Sequence, residues 1–156
     1  MTTIAYRDGM MAADTDSLFG GMKYRNANKI LRRGNALIGI TGNLVDGLVF
    51  ADWWEAGADR SALPVFREYA ADKEAPDFEV IVAEPERVTW WAQHFQPDLI
   101  TVPFWAIGSG AKAAMATMYM GEDPAEAIRV TILVDYYTNG DVQVERLENI
   151  ESLTVV

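Results

Sequence analysis

The side chains able to act as nucleophiles or metal ligands narrow the chemistry open to this chain. Cysteine is absent, which excludes disulfides, thiolate zinc sites and cysteine nucleophiles. The only histidine, His94, lies among apolar and aromatic residues, so a Ser-His-Asp triad or a histidine metal cluster would have to be built around it alone. A histidine in such a setting is more often packed or on the surface than catalytic. We therefore expect any hydrolytic chemistry to avoid histidine.

The local sequence predicts that Thr2 lies beside a carboxylate. Asp8-Gly9, between two apolar stretches, is a strong signal for a two-residue hairpin turn. Counting outward from that turn sets Thr3 opposite Asp14 and Thr2 one step further along the same strand. Chain termini are normally loose, so a second residue held on a strand is unusual. Taken alone, however, Thr2 is most often just the residue after an initiator methionine.

The composition predicts a single globular domain over residues 1–156. Half of the residues are apolar and 23% are charged, which is typical of a folded domain rather than a disordered chain. No apolar run reaches the length of a membrane span, and no basic segment followed by an apolar one begins the chain, so we expect a cytoplasmic protein without membrane contact. The formal net charge of −10 argues against nucleic-acid binding, which depends on clustered Lys and Arg.

The spacing of apolar residues and the positions of turn residues predict a layered α+β sandwich, because helices are gathered between runs of antiparallel strands. Asn43 should cap a helix after Gly42, and Asp123-Pro124 has the features of another helix start. The expected helices cover residues 43–57, 65–71, 110–121 and 124–137. The expected strands cover residues 2–6, 10–14, 24–31, 36–41, 78–83, 88–91, 102–107 and 142–147.

Five separated segments together resemble the proteasome β-subunit family and its simpler bacterial and phage relatives. None is specific alone, but their order and separations match that family from residue 2 to about residue 147. The resemblance implies a four-layer αββα sandwich of the N-terminal nucleophile (Ntn) hydrolase type. The segments are residues 1–4 with 13–14, 26–30, 41–46, 106–110 and 135–140.

The resemblance also implies a mechanism that needs neither cysteine nor histidine. Thr2, freed by removal of Met1, would supply both the hydroxyl nucleophile and, through its α-amino group, the base. Asp14 and Lys29 match the carboxylate and ammonium beside it. We expect Lys29 to act by charge, so that its loss costs activity but little stability. Gly42 matches the residue whose backbone N–H stabilises the oxyanion, and the residues that match those orienting the terminus are Ser109, Asp135 and Thr138.

Further expectations follow from the same resemblance. The specificity pocket would be mostly apolar and would favour an apolar side chain before the cut bond. No cofactor is required, although backbone carbonyls near the end of the site can hold a structural cation in this family. The pocket residues would be Ser17, Ala27, Leu31, Ile40 and Leu44, and the cation residues would be Ile132, Asp135 and Thr138.

The expected partners are further copies of the chain, in a ring or shell that encloses the Thr2 sites. The expected substrates are peptides or unfolded proteins, and an ATP-dependent unfoldase is a possible further partner. The tryptophan pairs favour such self-association. Trp53 and Trp54 are adjacent on a helix and point about 100° apart, whereas Trp90 and Trp91 are adjacent on a strand and point to opposite faces. Some indole surface should therefore be left for a partner.

Two other functions remain open from the sequence. The chain is either a threonine endopeptidase, or a catalytically silent assembly protein of the same fold that retains Met1, or an Ntn amidase acting on a small amide. The first two differ in whether the amino group of Thr2 is free. The last differs in whether peptides or small amides are cleaved.

Overall fold

The computed structural model describes residues 2–19, 22–64, 78–92 and 96–147 of the 156-residue chain. Its helices are α1 (Leu44–Glu55), α2 (Ala111–Tyr119) and α3 (Pro124–Val134). None of the helices in these segments is long and apolar enough to cross a membrane. The strands are β1 (Thr3–Arg7), β2 (Met10–Asp14), β3 (Ser17–Phe19), β4 (Met22–Tyr24), β5 (Ile30–Arg33), β6 (Ala36–Gly42), β7 (Phe78–Ala83), β8 (Val88–Trp91), β9 (Pro97–Leu99), β10 (Phe104–Gly108) and β11 (Val142–Arg146).

The strands form two antiparallel sheets and a short hairpin. The first sheet has the order β10-β1-β2-β11, the second has the order β5-β6-β7-β8-β9, and β3 pairs only with β4 among the described strands. At the turn between β1 and β2, Asp8 and Gly9 have φ values of 48° and 79°. Two positive φ angles in succession are those of a type I′ turn, whose twist matches that of the flanking strands. The register predicted from the sequence follows, with Ile4 paired to Ala13.

Four layers result from the burial of both faces of each sheet. Ile4, Met11, Leu37 and Ile81 fill the space between the two sheets. Helices α2 and α3 cover the outer face of the first sheet, and α1 covers the outer face of the second. The predicted αββα sandwich is therefore confirmed.

The helix starts agree with the local signals, whereas one helix end does not. The side chain of Asn43 accepts a hydrogen bond from the Asp46 N–H at the start of α1, and Asp123 caps α3 in the same way. The sequence predicted that the last helix would continue to Tyr137, but it ends at Val134 and Asp135 has extended backbone angles. The hydrogen bonds of the Asp135 carboxylate, described below, hold it in that extended turn.

Two other expectations need correction. Lys29 was predicted on a strand covering residues 24–31, but this segment is divided between β4 and β5, and Lys29 lies in the loop just before β5. The short strands β3 and β9 were not predicted. The helix expected over 65–71 and His94 lie outside the described residues.

Trp53 and Trp54 meet the same core, contrary to the sequence prediction, although Trp54 and Trp90 are only partly buried. Trp53 and Trp91 are buried in the core under α1, and Trp54 packs against the same core. Trp90 packs between the sheets, with its ring 5.7 Å from that of Trp105. Because each sheet has a covered layer on both faces, tryptophans that point in opposite directions still meet a core. The most exposed apolar side chains lie elsewhere, at the ends of α2 and α3, where Met120 and Leu133 are each 83% exposed and Tyr136 is 82% exposed.

Candidate active site

Thr2 is held in a fixed position directly before β1. Its residue is only 6% exposed, and its carbonyl oxygen accepts a hydrogen bond of 3.1 Å from the Ser109 N–H. The neighbouring Gly108 has φ of +98°, and a Cβ atom at that position would lie 1.9 Å from the Thr2 carbonyl oxygen. Only glycine combines this backbone angle with so close an approach. The end of β10 therefore fixes the backbone of Thr2.

A buried ion pair lies beside this strand. The Asp14 carboxylate accepts hydrogen bonds of 3.0 Å from the backbone N–H groups of Thr3 and Asn139. Its second oxygen is also 3.2 Å from the Lys29 ammonium, which donates a 2.6 Å hydrogen bond to the Asp16 carbonyl. Asp14 is fully buried and Lys29 is 2% exposed. The contact between Asp14 and Lys29 agrees with the sequence prediction, whereas the burial of the pair was not predicted.

Burial shifts the pKa values of both members of the pair, raising that of Asp14 and lowering that of Lys29. Burial raises the pKa of the Asp14 carboxyl, although the Lys29 ammonium and the two backbone N–H donors oppose the rise. Burial lowers the pKa of the Lys29 ammonium, with the charge of Asp14 opposing that shift. Each shift has the same cause, since the charged form of a group loses its hydration inside the protein. Such a costly pair depends on the partners that surround it.

A second cluster joins the strand of Thr2 to the end of α3. Ser109 donates a 2.7 Å hydrogen bond to the Asp135 carboxylate, and Thr138 donates another to the same oxygen. The Thr138 and Thr3 hydroxyl oxygens are 2.7 Å apart, and the Thr3 hydroxyl accepts a 2.9 Å hydrogen bond from the Gly110 N–H. Because an ionised carboxylate can only accept, the single proton of Thr138 is committed to Asp135. Thr3 must therefore donate to Thr138.

The charge of Asp135 is supported by these donors. Burial acts to raise the pKa of its carboxyl, but the hydrogen bonds from Thr138, Ser109 and the Tyr137 backbone outweigh it and lower the pKa below its usual range. The hydroxyl protons of Ser109 and Thr138 then both point to Asp135. Their remaining lone pairs can accept hydrogen bonds from an amine.

The other site residues predicted from the sequence are more scattered. Gly42 is exposed at the end of β6 with φ of +85°, directly before the helix cap. Ile40 is buried in the core under α1, so it does not line an open pocket, and Leu31 and Leu44 pack against that core. Ala27 is buried and its N–H donates a 2.8 Å hydrogen bond to the Thr15 carbonyl, whereas Ser17 is half-buried at the start of β3.

The predicted cation residues lie around the end of α3. A cavity of about 460 Å³ is bounded there by Ile132, Asp135 and Lys23, among others. Thr138 is fully buried and its hydroxyl donates a hydrogen bond to Asp135, so its side chain is not placed to bind a cation. Among the described residues, no group of three Asp, Glu, His or Cys side chains could hold a metal. A structural cation at this place remains a prediction.

Sequence reasoning missed several residues of the site. Thr3 links the two clusters, because its N–H donates to Asp14 and its hydroxyl contacts Thr138. Its place in a threonine pair was the available signal. Asp16 and Asn139 contribute backbone groups, which no residue type reveals. Gln143 on β11 accepts a 3.0 Å hydrogen bond from the Lys29 N–H, and nothing in the local sequence indicated this contact.

Comparison with known proteins gives a structural answer only. No protein-family model and no curated protein matches the sequence. The fold is similar to that of Thiobacillus denitrificans BPH in complex with epoxomicin, with a TM-score of 0.67 and 23% identity over 95% of this chain and 99% of that one. It is also similar to eukaryotic HslV from Trypanosoma brucei, with a TM-score of 0.70 and 19% identity over 94% of this chain and 99% of that one. The chain therefore has a proteasome-like four-layer αββα fold.

Proposed function

We propose that this protein is an N-terminal-threonine endopeptidase, in which Thr2 is exposed by removal of Met1 and attacks the carbonyl carbon of a peptide bond. The observation that supports this most directly is the fixed backbone of Thr2 beside the buried Asp14–Lys29 pair. A buried lysine paired with a buried aspartate is costly to keep for stability alone. The arrangement also supplies the charge that this chemistry needs, without histidine or cysteine.

The base in this mechanism is the α-amino group of Thr2. An α-amino group has an ordinary pKa of about 7.7 to 8.0, so a useful fraction is neutral near pH 7. We propose that the Lys29 ammonium lowers that pKa further, because like charges disfavour the protonated form. The lone pairs of Ser109 and Thr138 can hold the amine N–H bonds, so that the nitrogen lone pair is turned towards the Thr2 hydroxyl.

Hydrolysis then takes two steps. The amine accepts the hydroxyl proton of Thr2 as the oxygen attacks, and it passes that proton to the leaving amine, which leaves an ester on Thr2. Water attacks the ester by the same proton transfers and restores the threonine. The backbone N–H of Gly42 is the proposed donor to the oxyanion in both steps. While Met1 is attached, the nitrogen of Thr2 is an amide without basicity, and neither step can occur.

We further propose that the protein works as a cytoplasmic homo-oligomer on peptides or unfolded proteins. Support comes from the apolar side chains of Leu133, Val134 and Tyr136, which lie next to Asp135. A soluble monomer rarely exposes so many adjacent apolar side chains to solvent. An enclosed assembly would admit only extended chains. An ATP-dependent unfoldase is a fitting partner for such an enclosure.

The test compares purified wild-type protein with Thr2→Ala and, as a matched control, Thr101→Ala, which changes an exposed threonine. Mass spectrometry first establishes whether Met1 is absent. We expect wild type and Thr101→Ala to cleave a peptide panel, and Thr2→Ala to fold and assemble without cleaving. Undiminished cleavage by Thr2→Ala would remove the proposal. Cleavage of small amides alone would identify an amidase, and a retained Met1 with no activity would identify an assembly protein.

A further inference from the structure

Among the described residues, no strand neighbour accepts a hydrogen bond from the backbone N–H of Lys29. Lys29 lies in the loop before β5, and only its carbonyl is tied to the second sheet, where it accepts a 2.9 Å hydrogen bond from the Ile40 N–H. The N–H instead donates a 3.0 Å hydrogen bond to the Gln143 side-chain oxygen, which comes from β11 of the first sheet. Lys29 is thus fixed from two sheets at once.

The side-chain amide nitrogen of Gln143 contacts the residues on both sides of Lys29. Its side-chain nitrogen donates to the Asn28 side-chain oxygen and, at 3.3 Å, to the Ile30 carbonyl. The amide therefore contacts three consecutive residues, with its oxygen on the middle one. Only an amide offers an acceptor and two donors at this length.

The place of Gln143 on its strand relates Lys29 to Asp14. Gln143 is paired with Ala13, and the preceding Val142 is paired with Asp14. The amide that holds the Lys29 backbone is therefore one residue along the ladder from the carboxylate that receives the Lys29 ammonium. A lysine side chain has a flexible stem of four carbons, so the position of its ammonium depends on where its backbone is held.

We infer that Gln143 is a positioning residue for the proposed hydrolysis: it holds the Lys29 backbone so that the ammonium reaches Asp14 and the Thr2 site. This inference rests on the proposed function for its effect on rate, but not for the contact itself. Misplacement of a catalytic group by about 1 Å can cost about 100-fold in rate. Loss of the amide should therefore reduce turnover while the pocket for substrate is unchanged.

Gln143→Met is the test, because methionine has a similar length and cannot make these hydrogen bonds. The matched control is Glu145→Met, two residues further on the same face of β11. Glu145 also connects the two sheets, through an exposed ion pair with Arg32 at 3.7 Å, but does not touch the Lys29 loop. A role for Gln143 in merely joining the sheets would give the two variants similar behaviour.

In Gln143→Met we expect kcat to fall by about 10- to 100-fold, with KM changed by less than about 2-fold. The acidic limb of the kcat/KM profile should also move to higher pH. The reason is that retreat of the Lys29 ammonium lets the pKa of the Thr2 amine rise, so the amine stays protonated to a higher pH. The charged groups facing Lys29, Asp14 on β2 and Asp16 in the next loop, are unchanged in both variants. Glu145→Met should keep the wild-type profile.

Asn28→Ala provides a second route that leaves the bond from Lys29 to Gln143 in place, and we expect a smaller loss of kcat in the same direction. Amide hydrogen exchange at Lys29 gives a readout that does not need activity: Gln143→Met should speed this exchange at least about 10-fold and Glu145→Met should not. Faster exchange with an inactive wild type would refute the proposed function alone. Unchanged exchange, or a loss of kcat and a pH profile equal to those of Glu145→Met, would overturn the positioning role.

Discussion

Replacement of Lys29 by alanine tests the burial of the ion pair most directly. The sequence alone predicted little loss of stability, because a charge on a strand is usually solvated. In the structure Asp14 is fully buried, and Lys29→Ala leaves its carboxylate with only the N–H groups of Thr3 and Asn139. Removing one partner of a buried pair typically costs about 3 to 5 kcal/mol. Stability should therefore fall together with activity.

The size of the effect has a ceiling set by protonation. A buried carboxylate without its cation can take up a proton instead of remaining charged. An aspartate in the unfolded chain has a pKa of about 3.9, which is about 3 units below pH 7. Keeping the Asp14 carboxyl protonated in the folded variant at pH 7 therefore costs about 4 kcal/mol. We therefore expect Lys29→Ala to lower the free energy of unfolding by about 3 to 4 kcal/mol at pH 7.

The pH dependence follows from the direction of the shift. Burial raises the pKa of Asp14, and loss of Lys29 removes the main opposing charge, so the native state of the variant binds a proton that the unfolded state releases. A raised native pKa gives stability that is full below the unfolded pKa and is lost as the pH rises. The deficit of Lys29→Ala relative to wild type should therefore shrink by up to about 1.4 kcal/mol for each pH unit from 7 towards 4.

Urea denaturation of wild type and Lys29→Ala at pH 5 and pH 7 measures both quantities. Arg129→Ala is the matched control, because Arg129 is 58% exposed and forms a surface ion pair of 3.0 Å with Glu126, which is 44% exposed. Such a pair is worth about 1 kcal/mol or less. Equal stability losses in the two variants, or a loss in Lys29→Ala that is the same at both pH values, would refute the burial argument.

Three further outcomes are expected. Gly108→Ala should abolish hydrolysis and lower stability by more than Gly57→Ala in urea denaturation, because a Cβ at Gly108 meets the Thr2 carbonyl whereas one at Gly57, also at positive φ, meets open space; equal losses would contradict the close approach. The lowered pKa of Asp135 gives stability that is present above about pH 4 and is lost as the pH falls through the lowered value. In acid denaturation followed by circular dichroism, Asp135→Asn should therefore lack this pH-dependent part of the stability. A profile equal to that of wild type would contradict the prediction. Leu133→Asp should shift sedimentation towards monomer at unchanged monomer stability, since Leu133 is largely exposed; an unaltered assembly would place the interface elsewhere.

The sequence by itself determined the features that depend on neighbouring residues. Asp8-Gly9 prefers the type I′ turn, and the two-residue period of the strands then sets Thr3 against Asp14. The caps at Asn43 and Asp123 are likewise local hydrogen bonds, so both helix starts were predictable. The family resemblance, which rests on the order of segments along the chain, also matched Asp14 and Lys29 to a carboxylate and ammonium beside each other, and the two side chains are in contact.

The tertiary structure decided what depends on residues far apart in the chain. The hydroxyls of Thr3 and Thr138 meet across more than a hundred residues, and the bond from Lys29 to Gln143 joins two different sheets. Hydrogen-bond partners of this kind leave no period or turn signal in either segment. The burial of Lys29, which reverses its expected effect on stability, arises only when both sheets close over it. Packing on both faces of each sheet also decided the place of the tryptophans, because Trp91 meets the core under α1 while Trp90 meets the core between the sheets.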